Sequence, residues 1–137
     1  MITEQRELVT RLYDEDKDHT ALAHWWTSRG MAALPPEMLP KVGCLAVEGD
    51  ERIAAAFLYQ SDAQITWLTW LVANPNVDAK RAHEGLGLVI ESLWQTANAL
   101  GYKVLMTSLG NSGLIKVLER NGFQKTGEVF TELIRSE

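Results

Sequence analysis

The spacing of apolar residues between positions 86 and 100 constrains the fold of this 137-residue chain more than any other feature. Gly101 follows this segment directly, and a glycine in that place is a typical C-terminal cap of a helix. Spacings of four, three, four and three residues are the period of a helix that buries one face. The sequence therefore predicts an amphipathic helix here. The apolar residues at these spacings are Leu86, Ile90, Leu93, Ala97 and Leu100.

Runs with the composition of strands lie on both sides of this helix. Turn signals at Gly49-Asp50-Glu51 and Ser61-Asp62-Ala63 separate three such runs and predict an antiparallel meander. The predicted elements are a strand at 7–13, a capped helix ending near Arg29, strands at 43–48, 52–60 and 64–73, the long helix, a strand at 102–109, a short helix between Asn111 and Gly122, and a last strand from Phe123 to about Arg135. The order β-α-β-β-β-α-β-α-β indicates a mixed, largely antiparallel α/β sheet with helices on both faces.

Charge and composition exclude several classes of function. Thirteen Lys and Arg against eighteen Asp and Glu give a net charge of −5, which argues against nucleic acid as the main partner. The single cysteine, Cys44, cannot form an intramolecular disulfide, and no apolar run is long enough to cross a membrane. His19 and His24 are five residues apart and do not converge on a metal ion. We expect one cytoplasmic domain spanning residues 1–137, with no membrane partner and no metal.

Four short motifs resemble the acyl-CoA-binding signature of the GNAT acetyltransferases. A lone Gly-x-Gly is weak evidence, but its position between an apolar strand and an amphipathic helix makes the combination more specific. The resemblance covers nearly the whole chain in element order and residues 73–123 in motif. The motifs are Ala73-Asn74-Pro75, Gly85-Leu86-Gly87, Asn111 and Asn121-Gly122-Phe123.

The resemblance implies a GNAT-like fold, acetyl-CoA as cosubstrate, and transfer of its acetyl group by direct attack to an amine acceptor, which is a small molecule or a protein. It also implies that the strand before the phosphate loop separates from the next strand, so that its exposed backbone binds the pantetheine arm, and that a glycine-rich helix start binds the pyrophosphate. Packing of helix on sheet is the alternative role for the glycines, and helix capping is the alternative for Asn111. The implied cofactor-binding residues are Leu71, Val72, Ala73, Lys80, Arg81, Ala82, Gly85, Leu86, Gly87 and Asn111.

Two departures from the family pattern bear on catalysis. Ala82 replaces the Gln or Arg of the phosphate loop, and Leu118 occupies the place of the Tyr that protonates the departing thiolate in many GNAT enzymes. Residues 64–73 hold no carboxylate, so the weak candidates for a catalytic role are Thr66, Thr69 and Glu84. The alternative reading is therefore a catalytically degenerate GNAT-like binding or structural module, similar to phage-encoded or virion-associated proteins.

Aromatic residues are the candidates for contact with the acceptor. The resemblance places the first helix along the acceptor wall, which makes Trp25, Trp26 and Tyr59 candidate substrate-binding residues, with core packing as the alternative. Trp67 and Trp70 are three apart on one strand, so they are predicted to face opposite sides of the sheet. A homodimer through the final strands is a further expectation.

Overall fold

The order of helices and strands agrees with the predicted order as far as the third helix. A computed structural model describes residues 6–109, 112–128 and 131–137. Its elements are β1 (Leu8–Leu12), α1 (Glu15–Ser28), a 3₁₀ turn (Pro36–Met38), β2 (Val42–Glu48), β3 (Glu51–Tyr59), β4 (Ile65–Ala73), α2 (Ala79–Ala99), β5 (Val104–Met106) and α3 (Ser112–Arg120).

The five strands form one sheet in the order β1-β2-β3-β4-β5. The first four strands pair antiparallel. Turns of a few residues connect β2 to β3 and β3 to β4, whereas α1 lies between β1 and β2. The last pair, β4 and β5, is parallel, since α2 carries the chain back across the sheet before β5 begins. The predicted mixed, largely antiparallel sheet is therefore confirmed.

Helices cover both faces of the sheet, as predicted. On the α2 face, α2 packs against alternate residues of the central strands, among them Ala54, Ala56 and Leu58. On the α1 face, Leu22 and Trp26 of α1 pack against Leu45 and Phe57. Successive side chains of a strand point to opposite faces, so β2, β3 and β4 contribute to both cores and read as nearly continuous apolar runs.

A buried carboxylate joins α1 to two strands on the α1 face. Asp18 is fully buried, and its Oδ1 lies 2.7 Å from Arg11 Nη2 and 2.8 Å from Arg52 Nε. The backbone N–H of Asp14 also donates to its Oδ2, at 2.9 Å. Burial alone would raise the pKa of Asp18, but these hydrogen bonds hold that pKa well below its usual range.

The predicted last strand is wrong for the residues that the structure describes. Residues 123–128 and 131–137 hold no regular secondary structure, and Leu133 and Ile134 are 89% and 92% exposed. A strand needs a hydrogen-bonded neighbour, and β5 pairs with β4 alone among the described strands. The strand predicted at 102–109 is also shorter, because only Val104–Met106 pair with β4.

Candidate functional site

The strands β4 and β5 separate part-way along the sheet. They pair at residues 65–67 of β4, from Ile65 opposite Val104 to Trp67 opposite Met106. Just beyond, the side-chain hydroxyl of Thr107 donates to the backbone oxygen of Leu68 at 2.9 Å. From residue 69 to residue 73, no described strand pairs with this side of β4. The result is an open backbone edge in the interior of the fold.

Peptide groups at the end of β4 point toward this open edge. The Asn74 N–H donates to the Ile53 carbonyl at 2.8 Å, so these two residues form a hydrogen-bonded pair. Bonded and non-bonded pairs alternate along an antiparallel ladder, so the groups of Ala73 point away from β3 while those of Val72 point toward it. Arg29 lies at the C-terminal end of α1, and its Nη2 donates to the Ala73 carbonyl oxygen at 3.0 Å. This bond agrees with a carbonyl that points away from β3.

A β-bulge lies in β4 beside the separation. Val72 pairs with Ala55 and Thr69 with Phe57, so three steps along β4 match two along β3. Trp70 is in the inserted stretch and has φ of 53°, a left-handed conformation that costs energy for any residue but glycine. Its ring compensates by packing edge-on against Trp26, with ring centroids 5.5 Å apart. Strained backbone of this kind concentrates at functional sites.

The left-handed backbone of Trp70 yields a stability prediction. Trp70→Gly and Trp70→Ala remove the same ring contacts, but only glycine adopts positive φ without strain. We expect the glycine variant to be more stable than the alanine variant by about 1 kcal/mol, the reverse of their usual order in a strand. Urea denaturation of both variants measures the difference. An alanine variant as stable as the glycine variant would contradict a left-handed residue 70.

The bulge also corrects the prediction that Trp67 and Trp70 face opposite sides. Trp70 Nε1 donates to the Tyr59 hydroxyl at 3.0 Å, so these two side chains share a face. Tyr59 lies directly opposite Trp67, and cross-strand partners also share a face. The extra residue of the bulge reverses the alternation between positions 67 and 70. Both tryptophans therefore lie on the α1 face.

The two predicted phosphate-loop glycines lie inside α2, and their predicted place at its N-terminus is wrong. The helix begins at Ala79, because the Asp78 carboxylate caps it by accepting from the Arg81 N–H at 2.9 Å. N–H groups this far into a helix donate to carbonyls four residues earlier and are not free for a phosphate. A Cβ on Gly85 would lie 2.7 Å from Ile53 Cγ2, so Gly85 permits close packing of helix on sheet.

The basic residues predicted beside the phosphates differ in availability. The Arg81 guanidinium forms ion pairs with Glu51 and Glu48, and their carboxylates raise the pKa of Arg81. Lys80 is exposed in the first turn of α2. Ala82 packs against the core of the α2 face, and so does Leu86. Lys80 is thus the residue of this group whose charge is open to solvent.

The three weak catalytic candidates have different surroundings. Thr66 is fully buried, and its hydroxyl donates to the Tyr59 carbonyl at 2.5 Å, which disfavours a catalytic role. Glu84 is exposed on α2. Thr69 is half-buried opposite Phe57, immediately after the point where β4 and β5 separate. Of the three, Thr69 is the one that the sheet places at the open edge.

Two of the three predicted acceptor-binding aromatics are core residues. Trp25 and Trp26 of α1 are buried in the core of the α1 face, which favours the core-packing alternative for both. Tyr59 is 39% exposed at the end of β3. Its hydroxyl accepts from Trp70 Nε1 and donates to the Met38 carbonyl at 3.5 Å. Tyr59 therefore remains an accessible aromatic residue on the α1 face.

Three other residues singled out from the sequence are placed as follows. Asn111 lies outside the described residues. Leu118 is buried on α3 in the core of the α2 face. Cys44 is buried in that same core, and burial raises the pKa of its thiol, which disfavours the reactive thiolate.

Two surface cavities lie away from the open edge of β4. The larger, of about 520 Å³, is lined by Arg11, Lys17 and Arg52 near the Asp18 ion pairs, at the opposite side of the sheet. The smaller, of about 220 Å³, lies between Tyr13 and the proline-rich loop, residues 35–40. Neither is formed by β4, so the backbone geometry of β4, and not cavity size, marks the candidate site.

Within the described residues, no group of three or more His, Cys, Asp or Glu side chains is arranged to hold a metal ion. None of the described helices is long and apolar enough to cross a membrane.

Solved structures resemble this chain over nearly its full length, although no protein-family model and no curated protein matches it. An aminoglycoside acetyltransferase from an uncultured soil metagenomic sample, in complex with sisomicin, gives a TM-score of 0.73 at 9% identity, over 95% of this chain and 97% of its own. A GNAT family acetyltransferase from Streptococcus pneumoniae TIGR4 gives 0.67 at 13% identity, over 96% and 100%. A Bacillus subtilis acetyltransferase in complex with CoA gives 0.65 at 19%, over 86% and 77%. This chain has the GNAT fold.

Sequence reasoning missed the parts of this GNAT fold that depend on contacts between distant segments. The bulge at Trp70 has no signal in the sequence, since tryptophan rarely adopts positive φ. The bonds from Arg29 to Ala73 and from Thr107 to Leu68 join residues 44 and 39 positions apart. The Asp78 cap, in contrast, has a signal in the sequence, because Asp directly before a helical run is a typical N-cap residue.

Proposed function

We propose that this protein transfers an acetyl group from acetyl-CoA to an amine acceptor. The observation that supports the proposal is the separation of β4 from β5 after Leu68, which leaves the backbone of residues 69–73 open on one side. An extended chain with amide groups can add to such an edge as a further strand would. The pantetheine arm of CoA is a chain of this kind, with two amides.

The residues at the open edge fit the thioester end of acetyl-CoA. The Ala73 N–H points to the open side of β4 and can donate to a carbonyl oxygen of the ligand. The five-residue connection 74–78 leads from β4 directly to the first turn of α2. There the N–H groups of Ala79 and Lys80 precede the hydrogen-bonded part of the helix. They would meet the diphosphate, in place of Gly85 and Gly87.

The chain's own residues would position the reactants. Acetyl-CoA would supply the activated acetyl group: the amine nitrogen bonds to the thioester carbon, the carbon–sulfur bond breaks, and the nitrogen passes a proton to water. The sulfur leaves as the CoA thiolate and takes a proton from water. Since β4 carries no carboxylate, its half-buried Thr69 hydroxyl is the polar side chain available to hold that water. Positioning of the two reactants and donation from Ala73 are then the main contributions of the protein.

Thermal unfolding with and without acetyl-CoA tests the proposal. At ten times its dissociation constant, a ligand that binds only the folded state adds about 1.4 kcal/mol, which raises Tm by about 4–6 °C for a chain of this size. We expect this shift with acetyl-CoA, a weaker one with S-acetylpantetheine, and none with ADP. We also expect release of the CoA thiol when an amine is added. An equal shift with ADP, or none with acetyl-CoA, would refute the proposal.

The second candidate function is a GNAT-fold binding or structural module without turnover. It is favoured by the Asp78 carboxylate at the start of α2, by the ion pairs that occupy Arg81, and by the closely packed Gly85. Each of these weakens the expected diphosphate site. A thermal shift with acetyl-CoA and no thiol release with any amine would favour this module. The similarity to phage-encoded proteins stays a prediction, as do the homodimer and the cytoplasmic location.

A further inference from the structure

An exposed aromatic surface lies on the α1 face next to the point where β4 and β5 separate. Tyr59 and Trp67 are each 39% exposed, and Trp70 lies beside them, bonded to the Tyr59 hydroxyl. Trp67 is the last residue of β4 that pairs with β5 before the open edge begins. We call Tyr59, Trp67 and Trp70 the aromatic surface.

The aromatic surface is held in place by contacts with its neighbours. Trp70 bonds to Tyr59 through its indole nitrogen and packs edge-on against the buried ring of Trp26. The Tyr59 hydroxyl also reaches the Met38 carbonyl, which ties the proline-rich loop to the sheet. Rigid aromatic groups bind flat apolar ligands at little cost in conformational entropy.

The charges around the aromatic surface limit the kind of amine that fits. Residues 53–59 and 65–73, which form its floor, contain no charged side chain. Two exposed carboxylates lie on the segments that adjoin the surface: Glu37, next to Met38 in the 3₁₀ turn, and Asp62, in the turn between β3 and β4. An acceptor with several ammonium groups needs several carboxylates to compensate for lost hydration. One ammonium beside an aromatic ring needs fewer, since the ring face attracts a cation.

From these observations we infer that the acceptor is a monoamine carried on a flat apolar skeleton, which lies on Tyr59 and Trp67. This inference rests on the proposed acetyl transfer and adds the substrate class. The amine then projects toward the open edge of β4, where the separation of the strands begins. The chemical class is an arylalkylamine, in contrast to polyamines or amino sugars.

A panel of amines tests the inference on the full chain with acetyl-CoA. The probes are 2-phenylethylamine, n-butylamine and spermidine, and the measured quantity is kcat/KM from thiol release. We expect 2-phenylethylamine to exceed both others by about tenfold or more, since a few buried carbons are worth that factor. Spermidine as the best acceptor would overturn the inference.

Two variants at Trp67 and one control separate this inference from the proposed function. Trp67→Ala is expected to lower kcat/KM for 2-phenylethylamine about tenfold, mainly through a higher KM. The kcat/KM for n-butylamine should stay within about twofold of the wild-type value. Trp67→Thr keeps the β propensity of the strand and should show the same loss. Trp94 lies on α2, at the other face of the sheet, so Trp94→Ala should not change kcat/KM for either amine.

Binding measurements separate the remaining outcomes. If acetyl-CoA binds but thiol release is too slow to compare, 2-phenylethylamine is titrated into the CoA complex and its binding is measured by calorimetry. Binding that Trp67→Ala weakens supports the inference. No binding of 2-phenylethylamine overturns it. If acetyl-CoA raises Tm and the amines react with no aromatic preference, the inference fails and the proposed function stands. If acetyl-CoA does not bind, both fail.

Discussion

Replacing Asp18 with alanine is expected to lower the free energy of unfolding by about 3–5 kcal/mol, or Tm by roughly 10–20 °C. The carboxylate is fully buried and binds both Arg11 and Arg52, so its loss leaves two guanidinium groups without their shared partner. These bonds also connect β1, α1 and β3. Denaturation by urea at pH 7 measures the loss. Asp16→Ala, an exposed carboxylate in the same helical turn, should cost less than about 1 kcal/mol.

The contribution of Asp18 should depend on pH in one direction. Hydrogen bonds from the guanidinium groups overcome burial and hold the pKa of folded Asp18 well below the value of about 3.9 expected in the unfolded chain. Below about pH 4, the unfolded state therefore binds a proton that the folded state does not, and stability is lost. The difference between wild type and Asp18→Ala should be constant above about pH 5 and shrink on acidification. A difference that grows below pH 4 would contradict this assignment.

Alanine at Gly85 and at Gly87 should have opposite effects on stability. At Gly85 the added Cβ would lie 2.7 Å from Ile53 Cγ2 and 3.3 Å from Ala54 Cβ, both on fully buried strand residues. This overpacking is expected to cost about 2–3 kcal/mol. At Gly87 the nearest atoms belong to the Asn121 side chain, at an ordinary 3.6 Å. Gly87→Ala should therefore stabilise the protein by about 0.5–1 kcal/mol, as in other helix interiors.

The same pair tests where the diphosphate of CoA would bind. If the first-turn amides of α2 bind it, Gly87→Ala should leave the affinity for acetyl-CoA within about twofold while Tm rises. Calorimetry measures the affinity, and thermal unfolding measures Tm on the same samples. A tenfold weaker affinity in a stabilised Gly87→Ala variant would place the diphosphate at Gly87, as the sequence motif implied. A stable Gly85→Ala variant would contradict the close packing of α2 on β3.

Local patterns in the sequence determined most of the element order. The helical period of residues 86–100 predicted α2, and the turn signals at 49–51 and 61–63 predicted the meander of β2, β3 and β4. These patterns act over a few residues, because amphipathic periodicity and turn chemistry depend on near neighbours. The motif order then indicated the GNAT fold, which the solved structures confirm. The open side of β4 was likewise expected from the resemblance, and the pairing of β4 with β5 bears it out.

Tertiary structure decided the features that depend on contacts between distant residues. Whether Gly85 packs on a sheet or opens toward a ligand depends on Ile53, 32 positions away, and on a helix that starts at Ala79. The face on which Trp67 lies relative to Trp70 depends on one inserted residue in the pairing of β4 with β3. Residues 123–128 and 131–135 belong to the predicted last strand but have no described partner strand. A strand or a close helix contact exists only with its partner, so one segment's own pattern cannot determine it.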